Sequence, residues 1–126
     1  MTRPYRKIVV ECVDDVFCVR LKNPELQEPE VHEFADELTS LVTDDGCRKL
    51  VLALGPEAPR LIYSVFMGKL LMVRRRLQDA GGALKLCAVP PAVRGVFDAL
   101  QLTQYFDFYP DQDAAVAAFA APPPQE

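Results

Sequence analysis

At 126 residues the chain is long enough to bury a core of its own and too short for a second domain. Half of its residues are hydrophobic and a quarter are charged, which excludes a disordered or fibrous protein. With 18 acidic against 14 basic residues the net charge is −4, so no broad positive field is available to hold a phosphate backbone, and nucleic acid is excluded as a partner.

Met1 to Lys7 is basic, but the apolar run after it falls far short of the ~20 residues a membrane helix needs, and no signal-peptide cleavage pattern follows. The expectation is a cytoplasmic chain with no membrane partner. Ile8 to Val13 and Val16 to Leu21 are β-branched, apolar runs separated by Asp14-Asp15, which predicts a hairpin with a short polar turn. Across such a hairpin Cys12 and Cys18 could face each other, as reduced thiols. Asn23 to Pro29 is turn-forming, and after it Val31, Phe34, Ala35, Leu38, Leu41 and Val42 recur at helical spacing. Glu30, Glu33, Asp36 and Glu37 fill the other face of this helix, where carboxylates serve solubility and capping, and Asp44-Asp45-Gly46 closes it.

Leu50 to Leu54 is a continuous apolar run, too short for a helix, and reads as a central strand covered on both faces. From Ser64 to Gln78, Phe66, Leu70, Val73 and Leu77 make one helical stripe, stopped by Gly81-Gly82. Leu84, Leu86 and Ala88 alternate with Lys85 and Cys87 in a fourth strand. Pro90-Pro91 open a third helix, where a missing N–H costs nothing, and Val93, Val96, Phe97 and Leu100 give it a buried face. Phe106 to Tyr109 predicts a short fifth strand, and Asp111 to Phe119 an alanine-rich helix with Asp111 as N-cap. The reading is one α/β domain over residues 5–120 in the order β-β-α-β-α-β-α-β-α, a mixed sheet of five strands carrying four helices. A disordered proline-rich tail over residues 121–126 is expected to follow.

Little here carries catalytic chemistry. The four cysteines form no C-x-x-C pair and the single histidine, His32, lies among Glu28, Glu30 and Glu33 on a solvated helix face, so neither a metal nor a cofactor is expected. The glycines make no phosphate-cradling run, and neither Ser40 nor Ser64 has a neighbouring base to activate it. The expectation is a protein that is not an enzyme. Of Arg74, Arg75 and Arg76, only Arg75 points straight away from the apolar stripe.

The segment from Leu50 through Phe119 resembles the second half of a STAS domain. The resemblance rests on an apolar strand, a loop ending in a serine at a helix start, then Ala80-Gly81-Gly82-Ala83-Leu84-Lys85-Leu86, Pro91-x-x-Arg94-x-x-Phe97-x-x-Leu100-x-Leu102 and Phe106-Asp107-Phe108-Tyr109. It implies a STAS-like fold and the activity of a bacterial anti-sigma factor antagonist, which binds an anti-sigma factor of the serine protein kinase type. Phosphorylation of a serine at the start of the second helix would switch such a protein off, and Ser64 matches that position. The helical wheel adds independently that Ser64 lies about 160° from the buried stripe and should face solvent. The family's Asp-Ser-Ser-Gly is Ile62-Tyr63-Ser64-Val65 here, and Asn23-Pro24-Glu25-Leu26 stands where many members have Gly-x-Leu-Asp.

The expected partner surface comprises Tyr63, Ser64, Met67, Gly68, Leu71 and Arg75 on this helix, with Pro59 and Arg60 from the stiff loop before it. Met67 and Leu71 either supply apolar anchors there or pack beneath the first helix. The alternative is a scaffold subunit of a larger, stressosome-like signalling assembly that is not phosphorylated. A weak homodimer is left open as well.

Overall fold

The computed structural model describes residues 5–120, so the tail at 121–126 lies outside the described residues. The element order is β1 (Ile8–Val13), β2 (Val16–Leu21), α1 (Glu28–Thr43), β3 (Lys49–Ala53), α2 (Tyr63–Asp79), β4 (Ala83–Cys87), α3 (Pro91–Ala99), β5 (Asp107–Tyr109) and α4 (Gln112–Ala120), with a 3-10 turn at Thr103–Tyr105. The strands lie in the sheet in sequence order, β1 antiparallel to β2 and the rest parallel. That is the mixed sheet the alternation predicts, with the Leu50–Leu54 run at its centre. Leu50, Val51 and Leu52 are each no more than 1% exposed, which is why that strand reads as an unbroken apolar run rather than an alternating one.

One face of the sheet packs Ile8, Val19, Leu50, Leu52, Leu84 and Leu86 against Val31, Phe34 and Leu38 of α1, Phe66, Leu70 and Val73 of α2, and Val93 and Phe97 of α3. The other face is covered by α4, where Ala115 packs with Val16, Cys18, Val51 and Cys87. Lys85 can occupy this second face because its stem lies under aromatic rings. Its ammonium sits 4.8 Å from the Phe119 ring centre and 3.3 Å from an Asp107 carboxylate oxygen.

Local chemistry sets the element ends. Gln27 and Glu30 cap α1 reciprocally, and Pro29 occupies its first turn. Gly81, at φ +86°, ends α2: its N–H bonds the Gln78 carbonyl at 3.0 Å and the Gly82 N–H bonds that of Leu77 at 2.7 Å. Asp111 accepts the Ala114 N–H at 2.8 Å and therefore stands just outside α4 as its N-cap. The fifth strand is shorter than predicted. Phe106 leaves the ladder to pack its ring 5.2 Å from that of Phe97.

Three expectations about the fold need correction. Leu100 stands at the C-cap of α3, 47% exposed, rather than on the helix's buried face. Cys12 pairs with Phe17 and Cys18 with Glu11, so the cysteines point to opposite faces of the hairpin rather than at each other. The acidic face of α1 does more than solvate. The Glu37 carboxylate accepts the backbone N–H groups of Arg6 and Lys7 at 2.8 Å each, and Glu30 pairs with the Lys7 ammonium at 2.7 Å. The Lys7 bond holds the Glu30 carboxyl below the usual range. These contacts tie the segment before β1 to α1.

Cys18, Cys47 and Cys87 are buried and free, and burial pushes their thiols up to about 11, 12 and 11, whereas Cys12 is exposed. Thiolate is the reactive form, so a thiol reagent at neutral pH and low protein concentration should label Cys12 alone in the native state. Prompt labelling of Cys47 before unfolding would contradict the packing.

Candidate functional site

The loop from β3 into α2 is fixed at several points. A Cβ at Gly55 would overlap the carbonyl oxygen of Ala88, so glycine lets the loop cross against the β4–α3 connection. Farther on, the Arg60 N–H bonds the Pro24 carbonyl at 2.6 Å and the Leu26 N–H bonds the Arg60 carbonyl at 3.0 Å, a short parallel bridge to the segment before α1. The Arg60 guanidinium lies on the surface, 3.3 Å from Glu57 and 3.4 Å from Glu25. The Tyr63 hydroxyl donates to the Pro59 carbonyl, and partial burial pushes its phenol up.

Anchored this way, α2 begins at Tyr63 with Ile62 at the N-cap position. Ile62 has no side-chain acceptor to offer, and the first turn contains no acidic residue. The amide donors and positive dipole end of the helix are therefore left without a protein cap. Ser64 lies in this turn, exposed, and its hydroxyl makes no hydrogen bond among the described residues. Gly68 follows on the same face, also exposed, with nothing within 4 Å of where a Cβ would stand. Leu71 is half-buried beside it, and Arg75 is exposed and pairs with Asp79 at 3.4 Å.

Not every residue expected here is on the surface. Met67 is only 1% exposed and belongs to the core, so it supplies no anchor. Pro59 is buried as well, because the Arg60 bridge draws the loop onto the segment around Pro24. Arg76 is exposed like Arg75, while Arg74 turns sideways and stacks 5.5 Å from the centre of the Tyr105 ring. The face that remains is Ser64, Gly68, Leu71 and Arg75, flanked by Tyr63 and Arg60. Sequence reasoning missed Ile62, which at 49% exposure is among the largest apolar groups open to solvent and sits two residues before Ser64. Its signal was an aliphatic residue at a helix N-cap, where Ser, Thr, Asp or Asn is preferred.

The face joins a hydroxyl, an aliphatic side chain and exposed helix backbone, and among the described residues no three His, Cys, Asp or Glu side chains converge as a metal site would require. His32 lies away from it on α1, exposed and 3.8 Å from Glu28. Among the described residues no helix is long and apolar enough to cross a membrane.

A five-stranded mixed sheet with this strand and helix order is the arrangement of a STAS-type domain. The STAS domain profile matches residues 7–115, and the chain belongs to that family. Its relatives include the anti-sigma factor antagonist assigned as BtrV in Bordetella bronchiseptica, 30% identical over 115 residues that cover 90% of this chain and 94% of the relative. An anti-sigma factor antagonist from Mycobacterium paratuberculosis has the same fold, with a TM-score of 0.75 at 24% identity over 96% of this chain and all of the other. The Bacillus cell fate determinant SpoIIAA in its phosphorylated form has it too, with a TM-score of 0.66 at 19% identity over 88% of this chain and 98% of SpoIIAA. The fold is that of the anti-sigma factor antagonists.

Proposed function

We propose that this protein is a cytoplasmic antagonist that binds an anti-sigma factor of the serine kinase class through the start of α2, with Ser64 as the residue that switches the contact. The observation that carries the reading is the pairing of an exposed, unbonded Ser64 with an uncapped helix end and the exposed Ile62. A small open surface at Gly68 lets a partner backbone approach closely. In this reading the protein acts by occupying its partner and catalyses nothing itself. Relatives named anti-sigma factor antagonists support the partner class.

The test is a calorimetric titration of the cognate anti-sigma kinase with Ile62→Ala. Removing an aliphatic group that stands half open at the centre of the patch should weaken binding roughly threefold without lowering stability. Unchanged affinity would place the interface elsewhere. A second reading, an unphosphorylated scaffold subunit, draws on Ile62-Tyr63 standing where the family pattern has an acid and a first serine. A large homo-assembly in the absence of any partner would favour it.

A further inference from the structure

The two edges of the sheet are treated differently. β5 is a three-residue strand followed by Pro110, and a short edge bounded by proline offers little to another chain. β1 has six residues, Ile8-Val9-Val10-Glu11-Cys12-Val13, with no proline, no lysine and no bulge in its register against β2. Glu11 is the one charged residue along it, and proline, lysine and a bulge, the other usual devices that blunt an edge, are missing.

Which backbone groups this edge presents follows from the ladder. The Lys22 N–H bonds the Lys7 carbonyl, so Lys7 and Lys22 form a bonded pair, and bonded pairs alternate along an antiparallel ribbon. Val9, Glu11 and Val13 therefore direct their N–H and C=O groups toward β2. Ile8, Val10 and Cys12 direct theirs outward.

We propose that β1 pairs antiparallel with β1 of a second copy of this chain, about a two-fold axis at Val10. In that register Val10 exchanges both backbone bonds with Val10 of the other copy, and Ile8 does so with Cys12. The charges select this occupant and this register. The segment before the strand carries Arg6 and Lys7, and the turn after it carries Asp14 and Asp15; Lys7 is paired with Glu30 and Asp15 with Lys49 inside the chain, so Arg6 and Asp14 carry the complementarity. Antiparallel pairing of two copies sets the basic end of each beside the acidic turn of the other at both ends of the ribbon. Arg6 stands opposite Asp14 in this register; its side chain is 77% exposed and pairs with Glu33 at 3.3 Å, a surface contact that Asp14 of the other copy would share. Sliding the pair by one residue per strand, to centre it on Glu11, would set two carboxylates directly opposite each other, which is unfavourable. Centred on Val10, Glu11 lies opposite Val9 instead.

The pairing also covers groups the monomer leaves open. Val10 is half-buried and Cys12 exposed on the α1 face of the sheet, and each meets an aliphatic neighbour across the new ribbon. A single strand pair buries far less than the ~1,200–2,000 Å² of a standard interface, so the dimer is weak, dissociating at roughly 10 µM to 1 mM. It uses the sheet edge at β1 and leaves the start of α2 open, so it does not depend on the proposed partner.

Sedimentation equilibrium of the full chain up to about 1 mM tests the inference. The wild type should dimerise, and Cys12 should lose reactivity toward a thiol reagent over the same concentration range. Val10→Pro removes an outward N–H without touching the β1–β2 ladder, and it should abolish the dimer while circular dichroism stays native. Arg6→Glu and Asp14→Lys should each weaken the dimer at least fivefold, and an equimolar mixture of the two should regain the wild-type affinity, because the mixed pair has opposite charges at both ends. That regain is independent of whether Val10→Pro folds. A wild type that stays monomeric at 1 mM overturns the inference. So does a dimer insensitive to a folded Val10→Pro, or a mixture no tighter than its components.

Discussion

Phe66→Ala is expected to lower the unfolding free energy by about 3–5 kcal/mol, the range for emptying a large aromatic site in a packed core. Phe66 is fully buried. Its ring stacks on Phe34 of α1, with centroids 5.6 Å apart, and meets Tyr63 edge-on at 6.4 Å. One side chain thus joins α2 to α1 and to the helix turn that carries Ser64. Deleting it removes the transfer free energy of the ring and the aromatic contacts, and it leaves a cavity that Leu70 and Val73 can fill only in part. Urea melts should show a lower midpoint at an unchanged slope. Arg75→Ala is the control, since its only described pair, with Asp79, lies on the surface and should change stability by less than about 0.5 kcal/mol. A loss below about 1 kcal/mol for Phe66→Ala would mean that α2 is rotated from the phase described.

The phase of α2 was legible because its core stripe is long and regular: Phe66, Leu70, Val73 and Leu77 are all buried, and Ser64, opposite them, is exposed. Met67 was misplaced for a physical reason. A helix wheel gives the centre of a buried stripe but not its width, and width is set by what packs on the flanks. Met67 and Arg74, seven residues apart, share one flank, and Arg74 reaches Tyr105 in the turn after α3. That contact comes from a segment some thirty residues away in sequence, and Met67 is buried in the core cluster, neither of which a local pattern in α2 reveals. Pro59 fails in the same way, since its burial follows from the pairing of Arg60 with Pro24 and Leu26. The misplaced cysteines are different, because counting would have placed them. With Asp14 and Asp15 as the whole turn, Val13 must pair with Val16, and Cys12 then falls opposite Phe17. The central strand was legible for the opposite reason to Met67: a run covered on both faces needs no knowledge of which neighbour covers it.

Ser64→Asp is expected to separate binding from stability. The first turn of α2 has free amide donors, no acidic side chain and an N-cap residue that can accept nothing. A carboxylate at Ser64 would meet the positive end of the helix dipole there, an interaction that typically stabilises by about 0.3–1 kcal/mol on an exposed surface. The melting midpoint should therefore hold or rise slightly. Binding should respond in the opposite sense, because the same charge stands between Ile62 and Gly68 in the proposed interface and would have to be desolvated against the partner. The expected loss is at least tenfold in affinity for the anti-sigma kinase, about 1.4 kcal/mol, with Ser64→Ala binding as the parent does. A phosphate, with nearly two negative charges, should act in the same direction and more strongly. Ile62, Tyr63 and Val65 replace the neighbours that the family pattern places around the serine, so phosphorylation by the partner should be slow even where docking is tight. Calorimetric titrations of the kinase with the parent, Ser64→Ala and Ser64→Asp, beside thermal melts of all three, distinguish the outcomes. Equal affinity for Ser64→Asp and the parent would take the start of α2 out of the interface. A fall in the melting midpoint matching the fall in affinity would show that the charge acts through the fold instead of the contact.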